Sequence, residues 1–213
     1  MTNEESIFEL LSENIEELIS DRLTLDEAIE YQDLLDRKLF LTDDITIYTV
    51  NDIIHHILSY NSDDRDIPVE SRKPIKLYIS TSGGEVIAGM ALVDTIVNSK
   101  TPVHTINLGS WYSMGLYIGM AGHKRYAYPN STVLLHDGSN VAYGTAAKVQ
   151  DQVAFMHRVD KRLKDFIVNR SKITAKEFDK KAREEWYMFA EEAKEKGIID
   201  LIIGIDCGID EVV

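Results

Sequence analysis

At the start of the chain apolar residues recur at three- and four-residue steps. Ile7, Phe8, Leu10, Leu11, Ile15, Leu18 and Ile19 follow the capping box Thr2-x-x-Glu5, and Leu25, Ala28, Ile29 and Leu35 follow Thr24-x-x-Glu27. The spacing predicts an acidic helical hairpin over residues 1–37, set before a main domain over 38–213. Each stripe must bury itself against the chain's own domain or a neighbouring subunit. From Lys38 the spacing changes. Leu39-Phe40-Leu41 reads as a short strand, Ile47, Val50, Ile53, Ile54, Ile57 and Leu58 as a helix, and Ile75–Ile79 as a strand after the polar loop 61–74.

Ser80-Thr81-Ser82-Gly83-Gly84 closes that strand as a tight turn. Val86 to Lys100 continues as a helix, which Thr101-Pro102 ends before an alternating strand over Pro102–Leu108. Strand, glycine turn, helix, strand is a βαβ unit, so the class is α/β and the two following turns should share one sheet edge. The uncharged stretch Gly109-Ser110-Trp111-Tyr112-Ser113-Met114-Gly115 then turns into a buried helix over Met114–Ala121. Lys124–Tyr128 and Thr132–Leu135 read as strands, with His136 directly after the second. A glycine-punctuated segment, Asp137 to Gly144, leads to a long helix over about 146–169. Its length fits a core helix and one projecting to another subunit equally well. Ile173–Lys181 and Ala190–Lys196 read as helices, Trp186–Phe189 as an extended piece and Ile198–Ile203 as an apolar strand.

Charge narrows the partners. With 36 acidic against 23 basic residues and a net charge of -13, the chain is not expected to bind nucleic acid or an anionic membrane surface. Cys207 is the single cysteine and cannot form an internal disulfide, and the N-terminus has no basic and apolar leader, so a cytoplasmic location is expected. Thr105–Gly122 is uncharged and nearly long enough to span a membrane, but its glycines, serines and asparagine fit a packed core better.

A constellation for acyl transfer needs a nucleophile, a base, an acid to orient the base and N–H donors for an oxyanion. Ser113 at a helix start, His136 at a strand end, the acids Glu184 and Glu185, and Gly84 in the neighbouring turn offer these parts. A serine N-cap on a core helix is the competing structural reading of Ser113. The Gly-x-Ser-x-Gly elbow is missing, since Trp111 lies two before Ser113 and Tyr112 two after Ser110. Ser110, still on the strand side of the turn, is the weaker nucleophile candidate. No metal site is expected, because His55 and His56 are adjacent and would point about 100° apart on a helix.

Leu77-Tyr-Ile-Ser-Thr-Ser-Gly-Gly84 with Ala88-Gly89-Met90 and Asp94-Thr95, Gly109-x-x-x-Ser113-Met114-Gly115, Pro129-Asn130-Ser131, Leu135-His136 and Gly197-Ile-Ile-Asp200 together resemble the Clp protease proteolytic subunit. The resemblance runs from about Leu39 to Asp200. It implies a crotonase-like α/β fold of repeated ββα units and an ATP-dependent serine endopeptidase. It also implies stacked heptameric rings and an AAA+ unfoldase as the partner that uses ATP, this chain binding no cofactor itself. By the same resemblance Ser113 is the nucleophile, His136 the base, and the Gly84 and Met114 amides the oxyanion hole. Residues around Gly138 and Gly144 pair with an extended polypeptide substrate, and the 146–169 helix is the handle between rings.

The chain departs from the family pattern at several points. Glu185 stands where the family carries an aspartate, with Glu184 and Asp179 as reserve acids, and Asp137 is too close in sequence to His136. Trp111 and Tyr112 replace small residues and predict a narrowed pocket. Thr81 alters the context before the glycine pair, and the N-terminal hairpin replaces a short axial segment. A catalytically silent ring subunit is the alternative these departures leave, and a crotonase-class enzyme acting on acyl-CoA is a third.

Overall fold

The structure is a computed structural model and describes residues 24–139 and 141–213. The first predicted helix, with Ile7 to Ile19, lies outside the described residues. The chain divides into a unit ending at Lys38 and a unit over Leu39–Val213. In the first, helix α1 (Leu25–Leu35) starts on the predicted capping box, the Thr24 hydroxyl accepting from Glu27 N–H and the Glu27 carboxylate from Thr24 N–H. None of its residues is buried, so Leu25, Ile29 and Leu35 present their apolar side chains to solvent.

The second unit is built on a seven-stranded sheet. In chain order its elements are β1 (Lys38–Leu41, beginning on the last residue of the first unit), α2 (Ile47–Asp63), β2 (Ile75–Thr81), α3 (Val86–Asn98), β3 (Val103–Tyr112), α4 (Met114–Ala121), β4 (Lys124–Ala127) and β5 (Thr132–Leu135). There follow α5 (Ala146–Arg170), α6 (Ala175–Lys181), β6 (Trp186–Phe189), α7 (Ala190–Glu195) and β7 (Leu201–Ile202). Strand order is β1-β2-β3-β4-β7, and β5 pairs with both β3 and β6. β2 and β3 are parallel, as the βαβ reading requires, from Ile75↔Val103 to Ile79↔Asn107. Between them α3 buries Ala88, Gly89, Leu92, Val93 and Ile96, and all eight residues of α4 are buried.

On the edge away from β2, β3 serves two neighbours. Its first half, His104–Asn107, pairs with β4, and its last residues, Ser110–Tyr112, pair with β5. At the fork the buried Asn107 amide donates to Thr132 C=O at 3.0 Å while its oxygen accepts from Gly109 N–H at 3.1 Å. This fork explains why the strand runs past the predicted end at Leu108: the pairing with β5 is non-local. The predicted strand Ile198–Ile203 shortens to Leu201–Ile202 because Ile198 and Ile199 N–H both turn back to Ala193 C=O and close the end of α7. The Thr105–Gly122 stretch is strand and then core helix, and no helix of the described residues is long and apolar enough to cross a membrane.

The long helix α5 has 25 residues, of which Ile167 alone is buried. Its base is fastened by Arg170, whose guanidinium donates to the carbonyls of Met120, Ala121 and Gly122 at the end of α4. Arg125, itself held by both Asp200 oxygens, donates to the Arg170 and Gly197 carbonyls. Further along α5, Val153 and Phe155 remain exposed.

Candidate active site

Two strand-to-helix turns meet at the sheet's carboxyl edge. The turn after β2 is organised by Thr81, whose hydroxyl donates to Asp43 C=O at 2.7 Å and accepts from Gly83 N–H at 3.2 Å. It is zipped to the chain at Ile45, with Ile45 N–H on Gly83 C=O and Glu85 N–H on Ile45 C=O, both at 2.8 Å. Gly84 has φ +147, and a Cβ there would lie 2.2 Å from Ile45 O, so glycine is required on both conformational and steric grounds. Its N–H is left without a backbone acceptor among the described residues. A Cβ on the preceding Gly83 would come within 2.7 Å of Ser113 Cβ, so the second turn packs directly on the first.

That second turn is Ser113, at φ 52 and ψ -122. A non-glycine residue at positive φ outside the helical well is strained, at a cost of about 1–3 kcal/mol. The strain is enforced by the sheet, because Ser113 N–H still donates to Leu134 C=O at 3.1 Å before the chain breaks into α4. The hydroxyl makes no capping bond, which removes the N-cap reading. Met114 N–H, first in α4, has no intrahelical partner. Ser110 remains on β3 with its hydroxyl 3.4 Å from that of Ser80.

His136 arrives from the neighbouring strand. β5 and β6 are antiparallel with Leu134↔Tyr187 and Leu135↔Trp186, so the next pair along is His136 and Glu185. The imidazole Nδ1 lies 3.2 Å from Glu185 Oε1. Nε2 is buried and has no hydrogen-bond partner among the described residues. The Glu185 carboxyl is held below the usual carboxylate range, first by the hydrogen bond from the Tyr187 hydroxyl and then by the His136 ring. Of the reserve acids, Glu184 pairs with Lys181 and Asp179 with Lys164.

Ser113, Met114, His136 and Gly138 line one cavity of about 190 Å³. Its walls are mostly apolar, with Val86 and Ile87 from α3, Tyr117 from α4, and Phe155, Met156, Val159 and Leu163 from α5, and Asp160 of α5 adds a carboxylate to them. Burial raises the Tyr117 phenol above its ordinary pKa, with the Asp160 carboxylate adding to the effect, so the phenol stays neutral. Gly144 is not in this lining. It sits at φ +139 just before α5, and the backbone N–H and C=O of the adjacent Tyr143 are both taken by the Gln152 carboxamide. Trp111 and Tyr112 do not narrow the cavity. Trp111 is fully buried against Gly119 of α4, and the Tyr112 hydroxyl bonds that of Thr132 at 2.9 Å. Strand alternation beside the fork sends both rings elsewhere. Sequence reasoning missed Gly83, Tyr117 and Tyr187, although Tyr187, two residues from Glu185 on a strand, shares its face by the same alternation.

The fold is similar to that of the ClpP1 N165D mutant from Listeria monocytogenes, with a TM-score of 0.73 at 21% sequence identity, covering 87% of this chain and 99% of that chain. Residues 26–206 match the Clp protease family, a span that opens within α1 and so begins earlier than the resemblance at Leu39. With most of its length matched and the ClpP-like α/β fold in place, the chain belongs to the Clp protease family.

Proposed function

We propose that this chain is a serine endopeptidase of the Clp type, with Ser113 as nucleophile, His136 as general base and Glu185 as the acid that orients it. The observation that carries the proposal is the state of His136, which lines one cavity with Ser113: Nδ1 is held by Glu185, while Nε2 is buried and has no hydrogen-bond partner among the described residues. A base with one nitrogen fixed and the other vacant is ready to accept a hydroxyl proton.

In this mechanism the Ser113 oxygen attacks the peptide carbonyl carbon as its proton passes to His136 Nε2. The C=O π pair moves to the oxygen, where the Gly84 and Met114 N–H groups donate to it. Collapse expels the amine, which takes the proton from His136, and leaves an acyl ester on Ser113. Water then attacks with the same base and releases the acid. Glu185 keeps Nδ1–H facing away from the nucleophile and stabilises the imidazolium. The segment from Gly138 to Gly144 would pair with an extended substrate, and the apolar cavity would take one of its side chains.

The exposed apolar side chains of α5 support assembly through that helix, since such a face calls for a partner. Stacked rings fed by an ATP-driven AAA+ unfoldase complete the proposal. The test is a fluorophosphonate probe with a peptide-cleavage assay on the native particle, whose mass is measured in parallel. Labelling and cleavage that vanish in Ser113→Ala support the reading. A wild type that assembles but neither labels nor cleaves would instead make this chain a silent ring subunit.

A further inference from the structure

Glu185 is an exposed acid for the place it occupies. Its side chain is 59% exposed, yet one oxygen must stay on His136 Nδ1. A glutamate also has one more rotatable bond than an aspartate, so holding it in a single geometry costs more side-chain entropy. The second oxygen, Oε2, accepts from the Tyr187 hydroxyl at 2.8 Å. Tyr187 is held in turn: its ring meets Tyr112 edge-on at 5.6 Å and 83°, and the Tyr112 hydroxyl bonds Thr132 at 2.9 Å. Glu185 and Tyr187 are alternate residues at the margin of β6, facing the same side as His136 and Leu134 opposite.

We propose that Tyr187 is a positioning residue for the Glu185–His136 pair: its phenol holds one carboxylate oxygen so that the other stays on His136 Nδ1. The inference rests on the triad reading above. The contacts extend from Thr132 through Tyr112 and Tyr187 to Glu185, so four side chains contribute to the aim of one imidazole. Tyr187 touches no reacting atom and acts through Glu185.

Tyr187→Phe keeps the ring and its contact with Tyr112, and removes the hydroxyl alone. In the wild-type background it is expected to lower kcat roughly tenfold with KM unchanged, the loss of one hydrogen bond to a charged group. In a Glu185→Ala background the same change is expected to cost nothing further, because the group it holds is gone. An equal loss in both backgrounds, or none in the first, overturns the proposal. A second arm needs no turnover: crystal structures of Ser113→Ala and of Ser113→Ala/Tyr187→Phe. The carboxylate is expected on His136 in the first and swung away from it in the second. A carboxylate that still lies at hydrogen-bond distance from Nδ1 without the phenol overturns the role whatever the activity, whereas loss of the peptidase reading would be seen in the probe and cleavage assays alone.

Discussion

Replacing Ser113 by glycine is expected to leave a more stable protein than replacing it by alanine. Both substitutions remove a hydroxyl that caps nothing, so they differ in the backbone. At φ 52 and ψ -122 a residue with a Cβ carries a strain of about 1–3 kcal/mol, which glycine does not. Glycine gives back about 0.5–1 kcal/mol through the greater freedom of its unfolded chain. The difference favours glycine by about 1 kcal/mol, or about 2–4 °C in Tm for a chain of this size. Urea unfolding followed by the fluorescence of Trp111 and Trp186 measures it, with both variants at one protein concentration so that any subunit association cancels. If the alanine variant is as stable as the glycine variant or more so, the strain assigned to Ser113 does not exist.

Glu185→Ala should lower kcat by roughly 10²–10⁴, and Glu184→Ala by far less, since only Glu185 reaches His136; similar losses in steady-state peptide cleavage would contradict the geometry. Gly119→Ala should destabilise by about 1–3 kcal/mol in chemical denaturation, because the new Cβ would sit 2.4 Å from the buried Trp111 ring. His104 is pushed down to about 4 by burial and then by Lys124, His123 and Lys76. Its folded pKa lies below the unfolded value near 6.5, so the unfolded chain takes up a proton first as pH falls. Stability from this residue is then intact above pH about 6.5 and lost progressively between there and about 4. Partial exposure of the ring reduces the share to about 1 kcal/mol, which the difference in urea midpoint between pH 7 and pH 4.5 for wild type against His104→Gln should reveal.

What could be read in the sequence follows the range of the interactions responsible. The helices over Met114–Ala121 and 146–169 and the strand Thr132–Leu135 are local patterns, and each is found within a residue of its predicted bounds. The glycine pair predicts a tight turn after the strand, and that turn is present, with Gly84 against Ile45. The fork in β3 was illegible because it depends on Asn107 and on pairing with a strand more than twenty residues on. The destinations of Trp111 and Tyr112 followed that fork, so the prediction of a narrowed pocket failed with it. Glu185 was legible only through the family resemblance, as the residue standing where that family carries an aspartate. The structural reason for it is the β5–β6 register, which no single strand contains.

The strained serine also bears on whether the site is active or silent. A side chain held at an unfavourable φ without a compensating contact is a net cost to the fold. Here the hydroxyl caps no amide, and Gly83 is pressed against the Ser113 side chain. A structural ring subunit gains nothing from that arrangement, since glycine at the same turn would fold with less strain. What serine adds is a hydroxyl at the lining of a 190 Å³ cavity that His136 also lines. Proteins keep local strain where it serves chemistry and offset it elsewhere. Here the offset is the fully buried α4 behind Ser113 and the sheet bond to Leu134 in front of it, and together they support the catalytic reading of the turn.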